Sequence, residues 1–118
     1  MATRKNQTMT DKIVVLVTCG SPREAKRIAK ALVDARLAAC VNILQAPVVS
    51  VYRWKGKVES AKETLLIIKS VRSKFPALER AIKRIHSYDV PEIIALPIAA
   101  GSSDYLAWTS KSVWSEIG

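Results

Sequence analysis

The sequence contains few of the residues from which disulfides, metal sites and membrane spans are built. It has one histidine, and its two cysteines, Cys19 and Cys40, form no CxxC motif. Such a pair does not indicate a disulfide-rich secreted domain, although the sequence leaves a single disulfide between Cys19 and Cys40 as an alternative. No run of about 18 apolar residues is present to cross a membrane, and the basic, polar N-terminus lacks the apolar segment of a secretory signal. We therefore expect a cytoplasmic protein with a flexible basic tail at residues 1–12 and a single domain at residues 13–118.

Glycine is also scarce, with four residues in the chain. No Walker loop, GxSxG motif or Rossmann glycine pattern occurs. Cys40 and His86 could form a nucleophile and base, but nothing in the sequence orients them. We therefore expect no enzymatic activity and no catalytic residues.

Acidic residues are outnumbered, since 10 Asp and Glu stand against 19 Lys and Arg and give a net charge of +9. This balance favours anionic partners such as nucleic acid, phosphorylated metabolites or a membrane surface. Many of the basic residues fall in positions 23–30 and 74–84, two segments of helical periodicity in which apolar residues take other positions. The solvated outer faces of two helices explain this pattern without any anionic partner.

The order of apolar patterns predicts an α+β fold. A continuous β-branched run, "KIVVLVTCG", predicts a strand buried on both faces, and "SPRE" then has the cap, proline and glutamate of a helix start. This first helix should end near Arg36. The remaining segments predict, in order, two extended arms joined at "KGK", a helix with Ser73 as its cap, a strand, and a closing helix packed through Tyr105, Leu106 and Trp108. This βαββαβ order, with a C-terminal helix added, is that of the ferredoxin-like fold.

The two extended arms predict a long β2–β3 hairpin, with Pro47 interrupting or bulging the first arm. If each arm runs a dozen or more residues, the hairpin is roughly 40 Å long, against a radius of gyration of about 13 to 14 Å for a globule of this size. Such a hairpin would project from its own domain. Exposed strand edges of that length usually find partners, so the sequence predicts an oligomer.

Five motifs resemble the CutA divalent-cation-tolerance family. They are "AACVNI", "YRWKGKVE", "LLIIK", "HSYDVPEIIALPI" and "DYLAW", which follow one another between about Ile13 and Trp108. The resemblance implies a ferredoxin-like homotrimer in which hairpins pair between subunits, as in the trimeric plan of the PII signalling proteins, which bind effectors in clefts between subunits. It also implies a role in tolerance of copper and other divalent metals.

The metal-ligand candidates are His86, Cys19 and Cys40, with Asp89 or Glu92 as carboxylate supplements. The resemblance implies copper ligands at positions where this chain has Val17 and Ile85, so only His86 of that set is present and Cys19 is a possible substitute. Ser87 also replaces the proline of the family's "HPY". Core packing of Cys40, and a histidine that finishes a basic helix, are the alternative interpretations.

A polar ligand cleft is the other candidate site. Glu63 and Lys69 differ by an even number, so on one unbroken strand they share a face. Carboxylates, one cation and aromatic walls suit a small charged ligand, although a solvated strand face and an interface core would show the same residue types. By the resemblance, the candidates are Tyr52, Trp54, Glu63, Lys69, Glu92, Tyr105 and Trp108. His86 belongs to the same family motifs.

We therefore predict a non-enzymatic, cytoplasmic, CutA-like homotrimer that acts in divalent metal tolerance and binds copper, another divalent metal or a small ligand at clefts between subunits. A PII-like small-molecule sensor and a nucleic-acid-binding ferredoxin-like module are the alternatives. The second is disfavoured, because "KETLLIIKSV" offers aliphatic side chains where RNA-binding modules of this fold stack bases on aromatic ones.

Overall fold

The computed structural model describes residues 10–114, which form one antiparallel sheet and three helices. The elements are β1 (Lys12–Cys19), α1 (Pro22–Asp34), β2 (Cys40–Ile43), β3 (Val48–Trp54), β4 (Lys57–Val71), α2 (Phe75–Ile85), β5 (Ile93–Pro97) and α3 (Ser103–Val113).

The sheet has the strand order β2-β4-β1-β5, and β3 continues alongside the first half of β4. β1 lies in the centre, where its register aligns Val15 with Ile68 of β4 and with Ala95 of β5. The run "KIVVLVTC" predicts a strand buried on both faces, but between Ile13 and Val17 only alternate residues are buried, and those between them are partly exposed. The ferredoxin-like fold with its C-terminal helix is confirmed.

Helices α1 and α2 cover one face of the sheet. Ile28, Leu32, Leu78 and Ile82 are completely buried against it, as their helical spacing predicts. The start of α1 is also as predicted, since the Ser21 hydroxyl accepts a hydrogen bond from the backbone N–H three residues later at 3.1 Å.

Two predicted details of the other helices are wrong. Ser73 does not cap α2, because it lies within a short 3₁₀ turn at Arg72–Lys74 that precedes the helix, and no side chain caps α2. Tyr105 and Trp108 do not supply the buried side of α3 within the chain. They are 41% and 45% exposed, while Thr109 and Val113 of the same helix are buried.

The second face of the sheet is only partly covered. Val113 of α3 packs with Ala39 and Val71 at one end of it. Beyond that end, β5 exposes Ile94 and Leu96, each 48% accessible. An apolar sheet face therefore lies open in the isolated chain.

The β3–β4 hairpin extends from the sheet and ends in a two-residue turn. Lys55 and Gly56 both have positive φ angles, 51° and 81°, as a type I′ turn requires. The fifteen residues of β4 confirm the predicted arm length, whereas the other arm is divided into β2 and β3 around Pro47, the residue predicted to interrupt it. The longest dimension of the molecule is 48 Å.

Most of the predicted tail at residues 1–12 lies outside the described residues. Within them, Thr10 already bonds through its N–H and its hydroxyl to the carbonyl of Ile98, at 3.0 and 2.9 Å, and β1 begins at Lys12. No helix in residues 10–114 has the length and apolar character needed to cross a membrane.

Candidate ligand cleft

A cleft of about 720 Å³ lies between the hairpin, from Glu63 at its base to Trp54 beside the turn, and the segment that joins α2 to β5. The hairpin contributes residues 50–52, Trp54 and Glu63, the joining segment contributes residues 88–92, and Thr18 closes the end at β1. The hairpin is held there by its register with β4, in which Val48 lies opposite Glu63. The cleft therefore forms where the projecting and the packed parts of the chain meet.

Glu63 is the buried charged residue of this cleft. It is only 8% exposed, and its Oε2 accepts a hydrogen bond from the Tyr88 hydroxyl at 2.7 Å. Burial and this bond to the carboxylate raise the pKa of Tyr88, so the phenol stays protonated as the donor. Among residues 10–114, no basic side chain lies within ion-pair distance of Glu63.

All the charged residues that line the cleft are acidic. Asp89 and Glu92 lie on the exposed joining segment and join Glu63, and no lysine or arginine lines the cleft in the described part of the chain. Tyr52 and Trp54, each 43% exposed, provide aromatic walls. A negative, aromatic cleft on a chain of charge +9 is suited to a cationic group.

Behind the cleft, His86 ties the joining segment to β1. Its Nε2 lies 2.9 Å from the carbonyl oxygen of Thr18, and its Nδ1 lies 3.0 Å from the backbone nitrogen of Tyr88. A carbonyl only accepts and a backbone N–H only donates, so the neutral Nε2–H tautomer satisfies both bonds. His86 thus fixes the backbone that carries the Tyr88 ring.

Glu24 holds the same corner from the first turn of α1. Its Oε2 accepts the backbone N–H of Ser87 at 2.8 Å, and its Oε1 accepts the Ser87 hydroxyl at 3.1 Å and the N–H of Gly20 at 3.2 Å. Burial raises the pKa of the Glu24 carboxyl, but the hydrogen bonds from Ser87 and Gly20 outweigh burial and set the pKa below its usual value. Ser87 supplies both a hydroxyl and an N–H here, and proline has neither.

Comparison with known proteins identifies the family. The sequence profile of the CutA1 divalent ion tolerance protein matches residues 13–112. The chain belongs to the CutA1 divalent ion tolerance protein family.

Individual CutA relatives agree with this assignment in sequence and structure. The divalent-cation tolerance protein CutA of Thermus thermophilus is 52% identical over 99 residues, which are 84% of this chain and 95% of that protein. The solved Cut A1 structure from the same organism superposes with a TM-score of 0.83 at 48% identity, over 86% of this chain and 97% of that one. The periplasmic CutA of Archaeoglobus fulgidus gives a TM-score of 0.84 at 40% identity, over 87% and 99%.

The chloroplastic CutA of Arabidopsis thaliana is 48% identical over 100 residues, which cover 85% of this chain and 54% of that protein. This chain therefore spans about half of that longer relative. The family and the proteins of Thermus thermophilus and Archaeoglobus fulgidus are described by tolerance of divalent ions and not by a reaction, in agreement with the non-enzymatic prediction.

The metal ligands predicted for this CutA1 family member are protonated, engaged in hydrogen bonds or far apart within one chain. Burial, with Glu24 nearby, raises the pKa of Cys19 to about 11, so its thiol stays protonated at neutral pH. Both ring nitrogens of His86 are engaged in hydrogen bonds. Cys40 pairs with Lys69 of β4, whereas Cys19 pairs with Thr64, a separation of about 17 Å along the strand.

Residues 10–114 contain no cluster of three or more His, Cys, Asp or Glu side chains arranged to hold a metal. The predicted intrachain metal set is therefore not brought together, and its members do not fit a resident ion in the single chain.

The predicted cleft residues of this CutA1 protein divide between two places. Tyr52, Trp54, Glu63 and Glu92 line the cleft, with His86 directly behind it.

The other three predicted residues lie away from the cleft. Lys69 contacts Asn42 of β2, and the rings of Tyr105 and Trp108 lie 5.4 Å apart on α3. Burial, together with the neighbouring Cys40, raises the pKa of Tyr105. As predicted, β4 is unbroken between Glu63 and Lys69, but six residues span about 20 Å, so a shared face does not make a shared site.

Sequence reasoning missed Tyr88 and the partnership of Glu24 with Ser87. Tyr88 stands inside the family motif "HSYDVPEIIALPI" but is not among the residues predicted for the cleft. The sequence predicts only a capping-box role for Glu24, a local role that gives no sign of its contact with Ser87. Long-range partners of this kind leave no spacing in the sequence to detect.

Proposed function

We propose that this chain acts in the tolerance of divalent ions, copper among them, as a cytoplasmic homotrimer that binds a small ligand and catalyses no reaction. The acidic, aromatic cleft beside Glu63 is the observation that carries the binding role, since it combines volume, charge and a buried carboxylate in one place. Family membership supports the role in ion tolerance.

Assembly into a trimer is supported by unpaired strand edges in the hairpin. Within the described chain, β3 pairs only with β4, and the 57–63 part of β4 has no second neighbour, because β1 reaches only as far as Thr64. The hairpin also exposes Val49, Val51 and Val58, each more than 60% accessible. Long apolar edges of this kind favour pairing with another copy, and the open sheet face beside Ile94 and Leu96 adds apolar area to bury.

The proposed ligand site consists of Tyr52, Trp54, Glu63, Tyr88 and Glu92. In the trimer, a neighbouring hairpin would border this cleft and narrow its open side. Cys19 and His86 are assigned a structural role, supported by the raised thiol pKa and by the two engaged ring nitrogens.

Static and dynamic light scattering on the purified chain tests the assembly. We expect the mass of three subunits at micromolar concentration, and we expect Val49→Lys to produce smaller species, because it places a charge on the proposed interface at a hairpin position outside the cleft lining. Val33→Lys is the matched control, since Val33 is a partly exposed valine on α1, away from the hairpin. A monomeric wild type would refute the assembly.

The same variants test the tolerance role in cells that are sensitive to copper. Expression of the wild type and of Val33→Lys should restore growth in copper, whereas Val49→Lys should restore less. Equal growth with Val49→Lys and the wild type would separate ion tolerance from assembly and contradict the proposal.

Of the alternatives, the PII-like sensor shares the cleft and the trimer and differs in the identity of its ligand. The nucleic-acid-binding alternative has less support, because the open sheet face of the described chain carries aliphatic residues such as Leu16, Ile67 and Ile94 where stacking would need aromatic ones.

A further inference from the structure

The proposed ligand site also indicates which chemical class of ligand it takes. We propose that the cleft binds a small organic cation, in which a protonated amine or a guanidinium is joined to a flat apolar group. This inference rests on the cleft being the ligand site of the proposed function. It adds the charge and the shape of the ligand.

The first support is the charge of the lining. The chain has 19 basic residues, yet three carboxylates and no basic side chain line the cleft among the described residues. If surface charge were distributed without regard to the cleft, basic residues would outnumber acidic ones there as they do elsewhere. A cleft with only negative side chains attracts cations and disfavours the phosphorylated ligands that the net charge of +9 would suggest.

The second support is the state of Glu63. Its side chain is more than nine-tenths buried and lines the cleft, and its only hydrogen bond from the described residues comes from Tyr88. A carboxylate can accept several hydrogen bonds. A ligand cation that enters the cleft would therefore find acceptor capacity at Glu63 beyond the bond from Tyr88.

The third support is the apolar part of the lining, which selects an organic cation over a metal ion. Tyr52 and Tyr88 line the cleft with aromatic rings that suit a cation or a flat group, whereas the Trp54 ring already has the Lys55 ammonium 5.9 Å from its centroid. A divalent metal would need several oxygens or nitrogens converging within about 2.5 Å of one point, and no such group of three exists in residues 10–114. A volume of about 720 Å³ lies within the range of small-molecule sites.

Isothermal titration calorimetry with three matched probes tests the proposal on the intact chain in its native assembly. Phenethylamine carries the cation on a flat ring, 2-phenylethanol is its neutral counterpart, and phenylacetate carries the opposite charge. We expect phenethylamine to bind about tenfold or more tightly than the alcohol, and phenylacetate to bind most weakly. Equal binding of the amine and the alcohol would overturn the proposal.

Two variants locate the binding site. Glu63→Gln removes the charge but keeps an acceptor for Tyr88, and we expect it to weaken phenethylamine binding about tenfold or more. Glu79→Gln is the matched control, since Glu79 lies on the exposed face of α2 and pairs with Lys83 at 3.2 Å. Tyr52→Leu should weaken binding several-fold, whereas Tyr105→Leu, which changes a similarly exposed tyrosine on α3 away from the cleft, should not. Unchanged binding in Glu63→Gln would also overturn the proposal.

Light scattering on the same samples distinguishes failure of the organic-cation proposal from failure of the proposed function. If a basic side chain of a neighbouring subunit already occupies the cleft, phenethylamine will not bind, and Glu63→Gln will weaken the trimer instead. That result overturns the organic-cation ligand and leaves the trimer intact as a proposal. A copper titration of Glu63→Gln completes the set: copper binding that is lost in this variant would assign the cleft to a metal and overturn the present inference.

Discussion

The two halves of β4 have opposite surroundings although they belong to one unbroken strand. From Thr64 to Val71 the strand pairs with β1, and from Leu66 to Lys69 with β2 as well, and its alternate residues are buried under α1 and α2. From Lys57 to Glu63 it pairs with β3 alone, and most of its side chains are exposed, although Glu63 is buried. The Thr64–Val71 half is stabilised by the chain that contains it. The Lys57–Glu63 half has the composition of a strand but gains its burial from outside, and the two halves join at Glu63 in the cleft.

This contrast predicts that substitutions in the Thr64–Val71 half of β4 will cause the largest loss of stability. Ile68→Ala removes a completely buried side chain at the centre of the sheet, and we expect the free energy of unfolding to fall by about 2 to 5 kcal/mol. Val58→Ala in the other half removes a side chain that is 64% exposed in the single chain, so it should cost less. Urea denaturation of both variants measures the difference, and equal losses would contradict the contrast between the halves.

Glu24, which bonds Ser87 and Gly20 behind the cleft, should make the stability of the fold depend on pH. We expect Glu24→Gln to lower the free energy of unfolding by about 1 to 3 kcal/mol at pH 7, because three donors then face a neutral group. The folded pKa of Glu24 lies below its ordinary value of 4.5. The ionised carboxylate therefore stabilises the fold above about pH 4.5, and this contribution is lost as the pH falls through the folded pKa.

Urea denaturation at pH 7 and pH 3 measures this effect. The difference between the wild type and Glu24→Gln should shrink at the lower pH. Glu79→Gln should show a small difference throughout, since its ion pair with Lys83 is exposed. A gap between the wild type and Glu24→Gln that widens in acid would contradict the assigned direction of the pKa shift.

The smallest expected effect lies at the tip of the hairpin. Gly56 has a φ of 81°, so Gly56→Ala should cost about 1 to 2 kcal/mol of unfolding free energy through backbone strain alone. Gly20→Ala is the matched change without a positive φ, and its new methyl group would meet Tyr88 at an ordinary 3.5 Å. Thermal unfolding compares the two variants. A larger loss for Gly20→Ala would show that the turn is not under this constraint.

Sequence reasoning was most reliable where one local pattern decides the structure. The β-branched run of β1, the Ser21 cap and the glycine of the hairpin turn each act through neighbours in the chain, and each was predicted. It was least reliable where a residue acts through a distant partner. The exposure of Trp108 and the separation of Lys69 from Glu63 depend on how α3 and β4 are arranged in space.

The candidate site follows the same rule. Tyr52, Trp54, Glu63 and Glu92 were named from motifs, and all four line the cleft. Tyr88 was missed as a cleft residue because its role comes from a bond to a residue 25 positions away.

The junction at Glu63 and Thr64 has a consequence for how such a protein can diversify. Glu63 lines the cleft, while Thr64 is buried and pairs with the last residue of β1, and a single peptide bond joins them. A substitution that shifts this backbone to suit a new ligand would also disturb the central strand. Substitutions that change ligand preference are therefore expected to accumulate at Tyr52 and Trp54. These residues lie on a strand whose side chains can change without disturbing the packing of the buried core.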